Sequence, residues 1–264
     1  MSEISNKSKF PMSIKVLAKK IVTNRQHGTL VHTEECPLGA SGPYDVQSIV
    51  SSYFSPLTAW KAGGTNKKTQ KYFAVTQAYF GPIPTQFVTV GEDIELNSKN
   101  IHSPLKGEVE VCFCLNEIAQ ALGSDSTKQE ILSSIETVHL CLELPWTQFE
   151  QPSSGVDYLI ADMCGANALL VGPGLAYSDW SESSDEFKLC ANGNVLTKGN
   201  VLDSIIKPIE CYLEFIQLCL EQKIKLNEHI YLATGGVTAC VELPMISTID
   251  ISSDILPNFS VKII

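Results

Sequence analysis

Glu108-Val109-Glu110-Val111 opens the most apolar strand-like run in the chain, which continues through Cys112, Phe113, Cys114 and Leu115. On a strand, residues i and i+2 project from one face, so these two carboxylates stand together. Two neighbouring acids stay ionised in an apolar setting only when a cation joins them. A hard divalent ion with oxygen ligands meets that need. The competing reading is an edge strand showing two glutamates to water. Glu143 closes a second apolar run, from Val138 to Leu144, and could equally be leaving the strand into water at Pro145. Lys61, in Ala59-Trp60-Lys61-Ala62-Gly63-Gly64-Thr65, could bind a carboxylate or move a proton once burial perturbs its pKa. Its plainer reading is a lysine snorkelling from a strand end.

The elements that must position these groups change character along the chain. Met12, Val16, Leu17 and Ile21 fall at helical spacing and predict a helix to about His27. A Gly/Pro-rich link at 37–43 leads to a second helix, with Asp45 in its first turn before Val46, Ile49, Val50 and Tyr53. A third is expected over Lys67 to Phe73. From Phe80 the pattern turns to strands. Gly91-Glu92-Asp93 reads as a hairpin connection between Phe87–Val90 and Ile94–Leu96. Strands are expected at 108–115, 137–144, 156–161 and 168–171, the last stopped by Gly172-Pro173-Gly174. Asn192-Gly193 between two β-rich runs is a strong hairpin signal. One long helix is expected from about Leu202 to Gln222, burying Ile205, Ile209, Leu213, Ile216 and Leu220, with Pro208 kinking it or marking its true start. Strands at 230–233 and 259–263 close the chain. Helices first, then many short strands with one late helix, predict an α+β fold.

Composition narrows the partners. Hydrophobic residues make up 44% and charged residues 18% of 264, an ordinary globular balance. The 29 acids outnumber the 19 bases, for a net charge of -10, which argues against nucleic acid or an anionic membrane as partner. Most of the nine cysteines sit in apolar runs, where the free thiol packs as a small hydrophobe. Cys112-Phe113-Cys114 is a C-x-C pair with no zinc-ligand spacing elsewhere to match it. The opening residues lack the apolar core of a signal peptide, and no run reads as a membrane span, so a cytoplasmic location is expected.

Taken in order, these pieces resemble the 2-keto-4-pentenoate hydratases and related 4-oxalocrotonate decarboxylases of the fumarylacetoacetate hydrolase superfamily. Lys61 to Thr65 resembles that family's K-x-G-x-T stretch, and Glu108-Val109-Glu110 its E-x-E metal motif. Val138-His139 through Glu143 resembles its V-H-P-A-I-E segment, whose glutamate is the third ligand. Asp157 to Gly172 resembles its D-x-x-x-A-D-N-x-S segment, and Leu232-Ala233-Thr234-Gly235-Gly236-Val237-Thr238 its closing L-T-G-x-x-T. The departures are local. Met163, Cys164 and Gly165 follow Asp162 where the family has asparagine and often serine, and Asn167 stands for a glycine. Lys223 replaces another glycine, and Asn227-Glu228 a Gly-Asp pair.

The resemblance implies a mixed β-roll of the fumarylacetoacetate hydrolase C-terminal type. Residues 1–79 would form an N-terminal helical segment and 80–264 the β-roll catalytic domain, packed as one unit. It implies Mg²⁺ or Mn²⁺ on Glu108, Glu110 and Glu143, with Lys61 and Asp162 catalytic. Gly64, Thr65, Thr234 and Gly235 would shape the substrate site. The implied substrate is a small 2-keto or 2-hydroxydienoic acid, the implied reaction hydration of a 2-hydroxypenta-2,4-dienoate to a 4-hydroxy-2-keto acid, and the implied assembly a homo-oligomer. The alternatives are a 2-keto diacid decarboxylase or a carbon–carbon bond hydrolase on the same metal, and a divergent binding protein without activity. A decarboxylase would need a further cation, for which Lys67, Lys68 and Lys106 are candidates.

Overall fold

The computed structural model describes residues 13–39, 42–150, 154–183, 185–227 and 229–264; Met12 and Glu228 lie outside them. Six helices are described: α1 (Ile14–His27), α2 (Pro43–Ser52), α3 (Lys67–Phe73), α4 (Lys128–Ser133), α5 (Gly155–Ala161) and α6 (Pro208–Glu221). The strands are β1 (Leu57–Gly63), β2 (Tyr79–Pro84), β3 (Val88–Val90), β4 (Asp93–Leu96), β5 (Lys106–Leu115), β6 (Ile135–Pro145) and β7 (Ala166–Ala176). They continue with β8 (Glu186–Ala191), β9 (Asn194–Asn200), β10 (Tyr231–Gly236), β11 (Val241–Glu242), β12 (Ser247–Ser252) and β13 (Phe259–Ile263). The α+β expectation holds.

Among the described residues the strands form two mixed sheets. The larger runs β2-β1-β10-β5-β6-β7-β3, with β11 also on β5; the smaller runs β4-β13-β12-β8-β9. Alternation along β5 sorts its side chains between two cores. Val109, Val111 and Phe113 join Leu140 and Leu142 of β6, Tyr212 and Phe215 of α6, and Ile249 and Val261 of the smaller sheet. Cys112 and Cys141 face the other way, into a core with Leu17 and Ile21 of α1 and Val46 and Val50 of α2. Glu108 and Glu110, in phase with Cys112, belong to that second face.

The helices at 43–52 and 67–73 form where expected, Asp45 lying in the first turn of α2 and Asn66 capping α3 through Thr69. The Asn192-Gly193 hairpin also forms, with Ala191 opposite Asn194 and both loop residues at positive φ, as a two-residue primed turn requires. The N-terminal segment is not wholly helical. Its residues 57–63 are β1, deep in the larger sheet, and β1 pairs with β2 across the boundary expected at residue 80.

Four further expectations are corrected. Residues 155–161 form a helix, not a strand, and bury Leu159, Ile160 and Ala161. Gly172-Pro173-Gly174 does not stop β7. The β6–β7 register skips between His139 and Cys141, so the missing proline N–H falls at a bulge. Gly91-Glu92-Asp93 does not close a hairpin. It passes from one sheet to the other, because β3 pairs with β7 while β4 pairs with β13. The late helix begins at Pro208, one of the two roles expected of that proline, which needs no N–H partner in the first turn; what is corrected is the stripe the helix buries. Its buried stripe is Cys211, Tyr212, Phe215, Ile216 and Cys219, the two large aromatics having claimed the core side.

Candidate metal centre

β5 and β6 run antiparallel with Glu108 directly opposite Glu143, and Glu110 lies one pleat further in on the same face. One carboxylate oxygen from each of the three lies within 4.8 Å of the others, the spacing of a common cation site. Glu110 and Glu143 are fully buried, while Glu108 is half-buried at the mouth of a cavity. The edge-strand reading fails, since β5 is flanked by β10 and β6.

Lys61 reaches the same point from two strands away. β1 lies beside β10, Lys61 opposite Ala233, and beyond Ala233 β10 continues as Thr234, Gly235 and Gly236. A Cβ on Gly236 would stand 2.4 Å from Glu108 Oε2, and one on Gly235 2.0 Å from Thr65 Oγ1. The two glycines therefore leave the space over β10 to the carboxylates and to Thr65. Lys61 Nζ comes to 2.6 Å from Glu143 Oε1 as a buried ion pair, so this lysine does not snorkel.

The electrostatics follow from burial. Burial, then the Glu143 charge, pushes the Glu108 carboxyl up to about 7. Burial and the Glu108 charge hold Glu110 well above the usual carboxylate range. Burial also raises Glu143, with Lys61 pulling the other way. For Lys61, burial lowers the pKa, but Glu143, Glu110 and Glu108 together outweigh it and the net direction is up. At neutral pH Nζ carries its proton.

The donor set fits a divalent cation on an independent ground. Gly235 N–H donates to Glu110 Oε2 at 2.6 Å. Glu143 Oε1 is met by Lys61 Nζ, but Glu110 Oε1 and Glu143 Oε2 accept no hydrogen bond, although both are buried. Buried acceptors are rarely left so. Three converging carboxylates that leave two buried oxygens without donors are what a hard oxygen-seeking ion requires.

The cavity beside the triad has a volume of about 590 Å³ and is lined by Lys61, Gly64, Thr65, Tyr79, Trp146, Cys164 and Cys240 among others. An adjoining cavity of about 570 Å³ adds Lys68 and shares Lys106 and Glu108 with it. Lys67 lines neither. Gly64, at φ +77°, is held by Gln70 Nε2 donating to its carbonyl at 2.9 Å. The Thr65 carbonyl accepts from the N–H groups of Ile205 and Ile206, each at 3.0 Å.

Thr234 and Asp162 do not line the cavity. The Thr234 hydroxyl donates to the Val111 carbonyl at 2.9 Å, which fastens β10 to β5. Gly235 also sits behind the ligands, as the donor to Glu110. The Asp162 carboxylate is buried and saturated. It accepts from Arg25 Nη1 at 2.8 Å, Thr147 Oγ1 at 2.7 Å, Gln148 Nε2 at 2.9 Å and Gln148 N–H at 3.1 Å. Through these bonds it ties α1 to the segment after β6, whose Trp146 and Thr147 form the cavity wall. Sequence reasoning passed over Arg25, Thr147, Trp146, Tyr79 and Cys240. For Arg25, a lone cation on the apolar face with Leu17 and Ile21 was an available signal.

No family model and no curated protein matches the chain by sequence. By structure it superposes on 4-oxalocrotonate decarboxylase from Pseudomonas putida complexed with magnesium and adipate, with a TM-score of 0.84. That match covers 98% of this chain and 100% of the other at 17% identity. The chain has the fold of 4-oxalocrotonate decarboxylase. More distantly, fumarylpyruvate hydrolase from Pseudomonas aeruginosa, in complex with Mn²⁺ and pyruvate, matches at TM-score 0.57 and 12% identity over 78% of this chain and 88% of the other. 5-Carboxymethyl-2-hydroxymuconate delta-isomerase from Mycobacterium smegmatis also matches at 0.57 and 12%, over 79% and 80%. Among the described residues no helix of this fold is long and apolar enough to cross a membrane.

Proposed function

We propose that the protein is a divalent-metal-dependent lyase of the fumarylacetoacetate hydrolase superfamily, built on that superfamily's C-terminal β-roll and acting on a small 2-keto acid. The observation that carries the proposal is the convergence of Glu108, Glu110 and Glu143, with Glu110 Oε1 and Glu143 Oε2 buried and without donors. These three would hold Mg²⁺ or Mn²⁺, the metals of two structural neighbours. When bound, the ion would act as a Lewis acid that offsets negative charge developing on the substrate's 2-oxygen.

The chain's own groups would do the rest. Lys61 keeps a proton on Nζ beside Glu143 and is the acid, or the clamp for the substrate carboxylate. Gly64 and Thr65 shape the cavity wall that Lys61 shares. Thr234 and Gly235 hold the ligand strands in register, and Asp162 braces the opposite wall; we assign these three to positioning, not to contact with the substrate. Where relatives by resemblance carry asparagine and serine, Cys164 and Gly165 give a wall with one thiol and no amide or hydroxyl side chain, and Met163 packs into the core. Substrate orientation then falls to the triad and the lysines.

The first reading of the reaction is hydration of a 2-hydroxypenta-2,4-dienoate-type acid to a 4-hydroxy-2-keto acid. A specific observation favours a second, decarboxylation of a 2-keto diacid. Lys68 and Lys106 both border the adjoining cavity beside Glu108 and could receive a distal carboxylate. Screening mono- and dicarboxylic 2-keto and 2-hydroxydienoic acids with Mg²⁺ or Mn²⁺ decides between them. Loss of the conjugated ultraviolet chromophore reports turnover, and a gain of water or a loss of CO₂ in the product mass reports the reaction. No turnover of any member with either metal would contradict the proposal. Nine free thiols suit a reducing compartment such as the cytoplasm, and the family resemblance supports a homo-oligomer.

A further inference from the structure

The far end of β5 brings together groups of different chemistry. Cys114 lies four residues beyond Glu110, so about 14 Å separates it from the triad along the strand. Pairing places Cys114 opposite Thr137 on β6 and opposite Tyr231 on β10. Glu136 precedes that threonine, and His229 immediately precedes the segment entering β10. One ligand atom from each of Cys114, Glu136 and His229 falls within 4.8 Å of the other two.

We propose that Cys114, Glu136 and His229 form a second metal site, for a thiophilic divalent cation such as Zn²⁺. The distances suit it. His229 Nδ1 and Glu136 Oε2 are 3.6 Å apart, too far for a hydrogen bond. Two ligands each about 2.1 Å from a tetrahedral ion stand about 3.4 Å apart. His229 holds this position in the left-handed region, at φ +58°, with its N–H donating to the Leu115 carbonyl at 2.7 Å. An uncommon conformation for a non-glycine residue is thus pinned to the end of β5. Burial and the Glu136 charge push the Cys114 thiol up, the Thr137 and Tyr231 hydroxyls oppose them, and a bound cation would be what favours the thiolate. Glu136 and His229 are exposed and Cys114 is buried, so a cation can enter from solvent and a fourth position stays open to water.

The ligand set also separates the two sites. Three carboxylates favour a hard ion, whereas a thiolate with an imidazole favours a soft one. As the sulfur–metal bond forms, the thiol proton passes to solvent and no electron moves. One cysteine of the C-x-C pair, Cys114, thus finds its partners on β6 and just before β10, where linear spacing cannot show them. The proposal is independent of the reading of the triad.

The test is a Co²⁺ titration of the full chain under reducing conditions, followed by thiolate-to-cobalt absorption in the near ultraviolet. The expected result is a band that saturates, disappears in Cys114→Ser, and yields to added Zn²⁺. His229→Asn keeps a residue that tolerates the left-handed backbone, and should weaken binding at least roughly tenfold, the loss that removing even a partner behind a ligand brings. Cys240→Ser and Glu110→Gln should leave the band unchanged. No band in the wild type, a band that survives Cys114→Ser or ignores His229→Asn, or one lost with Cys240→Ser would each overturn the proposal.

Discussion

Adding one methyl group at Gly236 should weaken metal binding sharply while leaving the fold standing. The new Cβ would lie 2.4 Å from Glu108 Oε2 and 2.7 Å from Glu108 Cδ, with the Thr238 carbonyl oxygen next at 3.1 Å. Ordinary contact begins near 3.4 Å, so the carboxylate must retreat by about 1 Å. The fold can absorb this, because Glu108 is half-buried, its side chain is flexible, and Gly236 has no positive φ to strain. A metal site cannot, since ligand distances tolerate about 0.2 Å. Displacing one of three ligands should cost at least the ~10–100-fold that disturbing a ligand's supporting partner costs, or about 1.4–2.7 kcal/mol. Calorimetric titration with Mn²⁺ measures the affinity, and thermal melting of the metal-free protein measures the fold. Gly236→Ala that binds Mn²⁺ as wild type does would remove Glu108 from the ligand set and refute the reasoning.

Other perturbations separate positioning from chemistry. Gly235→Ala should destabilise the fold by about 2–5 kcal/mol, because a Cβ there meets Thr65 Oγ1 at 2.0 Å and the φ of +96° strains any side chain; a melting temperature within a degree of wild type would contradict this. Arg25→Met leaves the Asp162 carboxylate buried without its cation, at about 3–5 kcal/mol, which lowers the melting temperature by roughly 6–20 °C. Lys61→Met, assayed with metal present, should lower turnover roughly a hundredfold or more, the scale of a general acid–base contribution; full activity would remove Lys61 from the mechanism. Light scattering should show a homo-oligomer, and a monomer at working concentration would refute that assignment.

The triad was legible because the strand period alone places Glu108 and Glu110 on one face. Glu143 was legible as a charge ending an apolar run. Their meeting was legible only through the family resemblance, since it depends on the β5–β6 register, which no local signal encodes. Val156 to Ala161 shows how short apolar runs mislead: β-rich residues also fit the helical spacing of Val156, Leu159 and Ile160, and packing chose the helix. Gly172 and Gly174 read as turn residues but serve close approach, a Cβ on Gly174 meeting the His139 ring at 2.4 Å. Asp162 was found by motif and its surroundings were not, because Arg25 reaches it across 137 positions of sequence.

Calorimetric titration of Mn²⁺ into the wild type and Glu110→Gln tests the central claim most directly. The glutamine keeps the side chain's shape and can still accept from Gly235 N–H, so it removes little but charge. The account predicts that the wild type binds the ion and that Glu110→Gln binds it far more weakly, while the metal-free melting temperature does not fall. Absence of binding to the wild type, or equal binding to both proteins, would contradict it.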